Sequence, residues 1–96
     1  MYVALLIAKP NTAALRAETK PRHDAYWDEH LGRIRYGGPM LSDDGETRIG
    51  QVLVLDVDDR ATAEKIVTED PFVQAGLFEN WSIHRFRISV ESGSLT

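Results

Sequence analysis

The sequence predicts an α+β domain with the order strand, helix, strand, strand, helix, strand. Three observations carry this prediction. Tyr2–Ala8 and Val52–Leu55 are short runs in which every residue is apolar. His23, Tyr26, Trp27, His30 and Leu31 recur at i, i+3, i+4, i+7 and i+8, as do Ala63, Ile66 and Val67 further on at i, i+3 and i+4. That is the spacing of one helix face. Two further strand-like segments, Ile34–Leu41 and one beginning at Trp81, complete the set. The order is that of the split βαβ unit, a four-stranded antiparallel sheet with both helices on one face, the ferredoxin-like arrangement. Ninety-six residues suit one domain. Residues 1–90 are read as that domain and 91–96 as a polar, mobile C-terminal tail.

The first strand shows Val3, Leu5 and Ile7 on one side and Tyr2, Ala4, Leu6 and Ala8 on the other. A strand with one wet face would alternate with polar residues. Both faces of the sheet are therefore expected to be covered, one by helices and the other by the same face of a second copy. The expected assembly is a homodimer with sheets packed face to face, a dimeric α/β barrel.

Asn11 and Thr12 suit the cap of a helical segment through Ala14, Leu15 and Arg16. Pro21 is expected to interrupt it and to open a fresh helix, with Thr19 or Lys20 before it. Gly32 is the expected stop of that second helix. Gly37-Gly38-Pro39 should break the second strand, and Asp43-Asp44-Gly45 reads as a turn. Asp59 suits the N-cap of the helix whose inner stripe is Ala63, Ile66 and Val67. Asp70-Pro71 ends that helix and starts a short turn that closes near Gly76. In the last strand Trp81 and Ile83 share one phase, whereas Phe86, Ile88 and Val90 share the other. A bulge near His84-Arg85 would reconcile them.

Composition narrows the function. A net charge of -4 and a pI of about 5.2, with no run of Lys or Arg, are unsuited to a phosphate backbone, so no nucleic acid is expected as partner. No apolar run approaches the roughly 18 residues of a membrane span, and the first residues lack a basic leader, so no membrane is expected either. The absence of cysteine removes disulfides and thiolate metal sites and permits a cytoplasmic location. His23 and His30 share a helix face but lie about 10 Å apart along its axis, too far to share one ion. There is no nucleophile elbow, phosphate loop or dinucleotide fingerprint. No cofactor and no metal are implied.

The candidates that remain are few. His23 is a general acid or base at neutral pH, or a packing histidine beside Tyr26 and Trp27. Asp70, directly before Pro71, is a helix N-cap whatever else it does. Gly38 and Pro39 form either a pocket wall, where the backbone comes close to a ligand, or a plain bend. Tyr26, Met40, Phe72 and Phe78 line either an apolar pocket or the core.

Taken together, several pieces resemble the YCII-related family of small dimeric α/β-barrel proteins, which is similar to muconolactone-isomerase-like barrels. They are Lys20-Pro21-Arg22-His23, Gly38-Pro39-Met40, Asp70-Pro71-Phe72 and Ala75-Gly76-Leu77-Phe78, in this order from Tyr2 to about Val90. The resemblance implies a His-Asp pair in a cleft, carried here by His23 and Asp70; from the residues themselves, Tyr26, Gly38, Pro39, Met40 and Phe72 are the expected substrate-binding neighbours. It departs at Lys20, where the family pattern has arginine. One branch of the family is associated with dehydrochlorination of a chlorinated hydroxyquinol. The expected function is small-molecule acid-base chemistry, an elimination or isomerisation on a compact aromatic or lactone-like substrate. The alternative is a non-catalytic protein of the same fold that holds a metabolite or serves as an accessory chain.

Overall fold

The computed structural model describes residues 1–95, and Thr96 lies outside the described residues. Four strands, β1 (Tyr2–Ala8), β2 (Ile34–Leu41), β3 (Arg48–Leu55) and β4 (Phe78–Arg85), form one antiparallel sheet in the order β2-β3-β1-β4. The helices are α1 (Ala13–Asp28), α2 (Arg60–Thr68) and the single turn α3 (Pro71–Gln74). The fold is the expected α+β arrangement.

Register explains which face the helices cover. Tyr2, Ala4 and Leu6 lie opposite Leu55, Leu53 and Gln51 on one side and Arg85, Ile83 and Trp81 on the other. Paired residues share a face. Tyr2, Ala4, Leu6, Leu53, Leu55 and Ile83 are buried in one cluster with Trp27 of α1, Ala63, Ile66 and Val67 of α2, and Phe72 of α3. Fully burying a side chain such as Leu6 or Leu55 contributes about 1.5–3 kcal/mol. The opposite face carries Val3, Leu5 and Ile7 of β1 and Tyr36 of β2, the last paired with Val54. Leu5 and Ile7 are each 37% exposed and Tyr36 53% exposed.

α2 begins as expected, the Thr62 N–H donating to Asp59 Oδ1 at 2.7 Å. α1 departs from expectation. It runs unbroken through Pro21 for 16 residues. Proline at this point removes one backbone bond, but Thr19 and Trp27, on either side of it, are both buried. Packing therefore outweighs the local penalty. Thr12 occupies the cap position, yet its hydroxyl donates to the Lys9 carbonyl at 2.9 Å and not to the helix. The helix ends at Asp28, before Gly32, which lies instead in a 3₁₀ turn over Leu31–Arg33.

Three further details differ. Gly37-Gly38-Pro39 do not break β2 but pair through it with Leu53, Val52 and Gln51. Proline is accommodated because β2 is an edge strand. The irregularity in β4 is at its start, where Ile7 pairs with Asn80 and Ala8 with Phe78, leaving Glu79 over. The phase change after Arg85 is the end of the strand, marked by the Phe86 N–H donating to the Met1 carbonyl at 2.9 Å. Finally, where a mobile tail is expected, β5 (Val90–Glu91) and β6 (Ser94–Leu95) form a small hairpin. Ser92 and Gly93 turn it with φ of 51° and 77°, the two positive angles that a two-residue turn matched to strand twist requires. The Glu91 carboxylate pairs with Arg35.

Candidate functional site

His23 projects from the middle of α1 toward α3. Its Nδ1 lies 2.8 Å from Asp70 Oδ1, and the two side chains are 18% and 5% exposed. A carboxylate only accepts, so Nδ1 carries the proton and Nε2 of the neutral ring holds a free lone pair. Asp70 is placed by its own helix. The Phe72 N–H donates to the same Oδ1 at 2.9 Å, capping α3, with Pro71 at the first helical position. One oxygen thus serves both the cap and the histidine. Phe72 fixes the ring from the other direction, stacking on His23 with centroids 3.7 Å apart and planes 12° from parallel. Trp27 meets the imidazole edge-on at 6.4 Å.

This held imidazole lines two neighbouring cavities between α1 and the sheet. The larger, about 470 Å³, also meets Arg16, Lys20, Arg48, Gln51 and Phe72. The smaller, about 260 Å³, is bounded by Trp27, Ile34, Gly37, Leu53 and Asp70. Gln51 and His23 border both. The space needs Gly37: a β-carbon there would come within 2.8 Å of the Leu53 side chain and 2.9 Å of the Val52 carbonyl.

The sequence-derived residues divide into two groups. His23, Asp70 and Phe72 come together, and Phe78 lines the larger cavity. Gly38 and Met40 pair with Val52 and Gly50 and so lie on the helix-free face, whereas Pro39, opposite Gln51, shares the cavity's face without lining either cavity. Tyr26 turns away from His23. Its hydroxyl donates to the Ile66 carbonyl at 2.6 Å, and it borders a separate hollow with His30 and Lys65. Burial, followed by the charges of Glu69 and Asp70, pushes the Tyr26 hydroxyl up to about 12.

Sequence reasoning did not single out Arg16, Gly37, Arg48 or Gln51. A signal for Arg16 exists: Arg16, Lys20 and His23 follow at i, i+4 and i+7, one stripe of one helix. Dividing the helix at Pro21 cuts that stripe in two.

Residues 1–87 match the model of the YCII-related domain. The chain belongs to this family. Among solved structures, the YCII-domain chain is similar to 5-chloro-2-hydroxyhydroquinone dehydrochlorinase (TftG) from Burkholderia phenoliruptrix AC1100, in complex with 2,5-dihydroxybenzoquinone. The TM-score is 0.79 at 24% identity, over 90% of this chain and 92% of that one. At this identity the likeness is one of fold. Another similar structure is At3g17210 from Arabidopsis thaliana, with a TM-score of 0.49 at 10% identity, over 95% of this chain and 96% of that one. No curated protein matches the sequence. Among the described residues, no helix is long and apolar enough to cross a membrane.

Proposed function

We propose that this YCII-domain protein is a lyase or isomerase that moves a proton on a small aromatic or lactone-like substrate, with His23 as base and Asp70 as its positioning partner. The observation that carries the reading is the 2.8 Å bond from Nδ1 to a buried carboxylate in the wall of a cavity. It leaves Nε2 as the proton acceptor and sets a negative charge beside the imidazolium that forms. In the elimination, Nε2 takes a proton from the substrate, the freed electron pair forms the new double bond, and a halide leaves with the old bonding pair. The net change is loss of HX, which balances without an oxidant or cofactor. In the isomerisation the same imidazolium returns its proton at another carbon. The dehydrochlorinase of like fold makes 5-chloro-2-hydroxyhydroquinone the first compound to try, followed by enol-lactones. Chloride release or isomer formation should appear with the wild type and vanish with His23→Ala. Undiminished turnover by a folded His23→Ala protein would refute the assignment.

The working unit is a cytoplasmic homodimer of the 1–90 domain in this reading. Support comes from the helix-free sheet face, where Leu5, Ile7 and Tyr36 lie together in solvent. An exposed apolar sheet face of this kind marks an association surface. Sedimentation should give twice the chain mass for the wild type and the single mass for Ile7→Lys. A monomeric wild type would exclude the dimer.

A further inference from the structure

The larger His23 cavity carries a charge that the proton-transfer chemistry does not use. Three cationic side chains, Arg16, Lys20 and Arg48, line it together with His23. Lys20 is engaged, its ammonium paired with Asp24 one helical turn on. Asp24 is also the one acidic residue in that wall. Neither Arg16 nor Arg48 has a carboxylate within ion-pair distance among the described residues. Glu46 approaches the same two arginines across an adjoining surface hollow, again without pairing. The protein as a whole has an acid excess, so two adjacent unpaired guanidiniums are not the product of a general surplus of base. Their mutual repulsion is felt: burial first, and then the charge of Arg48, push the Arg16 guanidinium below its usual value. An anion placed between them would offset that repulsion.

Resting on the acid-base reading of His23, we propose that Arg16 and Arg48 form a carboxylate subsite, so that the substrate is a small carbon acid bearing a carboxylate at the end remote from its reacting carbon. Guanidinium suits this task because its planar fork meets two carboxylate oxygens at once. The subsite and the base line one cavity of about 470 Å³, room for a single-ring compound with one such substituent. Gln51, which borders both cavities, lies between the anionic end and the smaller chamber behind His23. A carboxylate held there leaves the rest of the molecule in the part of the cavity that His23 lines. Lys20 is neutralised by Asp24, so the anion would be met one turn earlier on α1 by Arg16 and from β3 by Arg48.

The probes are benzoate, its neutral isostere benzamide, and inorganic phosphate, each titrated against the full chain and followed by amide and imidazole NMR. Benzoate should shift the His23 ring and Gln51 signals, and benzamide should bind at least about tenfold more weakly, the loss expected when a charge-assisted bond is removed. Arg16→Gln and Arg48→Gln should each weaken benzoate by about tenfold or more, with Arg48→Lys intermediate because it keeps the charge and loses the fork. Equal binding of benzoate and benzamide, or unchanged affinity in both glutamine variants, would overturn the subsite. So would phosphate binding at the arginines without displacement by benzoate, or benzoate binding that leaves His23 undisturbed. His23→Ala separates this proposal from the one beneath it. Benzoate binding retained in that variant, with no compound of any class turned over by the wild type, refutes the catalytic reading alone. Turnover of uncharged substrates by wild type and both arginine variants alike refutes the subsite alone.

Discussion

Replacing Asp70 by asparagine removes a charge from the site and almost nothing else, because one oxygen of that side chain makes both of its hydrogen bonds. The asparagine amide oxygen can take the position of Oδ1 and accept from both the Phe72 N–H and His23 Nδ1, with the amide nitrogen where Oδ2 was. Asparagine is as good an N-cap as aspartate, so the unfolding free energy should change by no more than about 0.5 kcal/mol. The imidazole tautomer should also persist, since an acceptor still faces Nδ1. What is lost is the attraction between a carboxylate and the imidazolium formed during proton transfer. At a charge separation of about 4 Å and an effective dielectric near 20, that attraction is about 4 kcal/mol as an upper bound. The difference observed when a hydrogen bond loses its charged partner is smaller. A loss of about 2–3 kcal/mol in the barrier gives roughly a 30- to 150-fold fall in kcat/KM. Asp70→Ala is the contrasting case. It deletes the cap and the acceptor together, should lower stability by about 1–2 kcal/mol, and lets the imidazole proton move to Nε2, where it blocks the base. Chemical denaturation gives the stabilities, long-range nitrogen-proton correlation of the imidazole gives the tautomer, and product formation from whichever tested compound the wild type turns over gives the rate. An Asp70→Asn protein as stable as the wild type and as fast within about twofold would refute the reasoning, because a charge beside the imidazolium would then contribute nothing to the barrier.

Two other substitutions test the cavity and its surroundings. Gly37→Ala drives a β-carbon against the Leu53 side chain and the immovable Val52 carbonyl, and should destabilise by about 1–3 kcal/mol and shrink the smaller cavity. Gly38→Ala, which meets nothing within 4 Å, should be neutral within about 0.5 kcal/mol by thermal unfolding. Tyr26→Phe leaves the Ile66 carbonyl without its donor and should lower stability by about 1 kcal/mol at neutral pH. The wild type should show a second effect in alkali. The folded-state value is raised to about 12 from an ordinary value of 10.0, so the neutral hydroxyl's contribution is complete below pH 10 and is lost as pH rises toward 12. The Tyr26→Phe protein should lack this alkaline slope in its urea midpoint. An equal slope in both proteins would remove the burial of Tyr26 as its cause.

The parts of this molecule that could be read from its sequence are those in which local chemistry and tertiary packing agree. The unbroken apolar run of β1, the Asp59 cap and the Asp70-Pro71 helix start all belong to this group, and each element forms where its residues indicate. Pro21 is a place where the two disagree. Its local preference is to open a helix, and Thr19 and Trp27 override it by burying the segments on both sides. That single conflict also conceals the line from Arg16 to His23. Arg48 is hidden for a different reason. It arrives from strand β3, 32 positions beyond Arg16 along the chain, and no local spacing encodes the meeting. The phase change after Arg85 illustrates a third limit: alternation shows that a strand's geometry changes, but a bulge and a strand end leave the same trace in the sequence.

The doubly used oxygen of Asp70 has a consequence for how such a protein could acquire new substrates. A carboxylate that holds its histidine alone can swivel, and the base can be re-aimed by small shifts around it. Here any rotation that follows the imidazole pulls away from the Phe72 amide and frays the first turn of α3. The aim of the base is therefore tied to the folding of a helix only four residues long. Adaptation has to work on the walls, by changing what stands at Arg16, Arg48 or Gln51, while the proton acceptor keeps a fixed bearing. A laboratory evolution campaign on this chain should accumulate its productive changes at those three positions and leave Gly37 and the segment from Asp70 to Phe72 untouched.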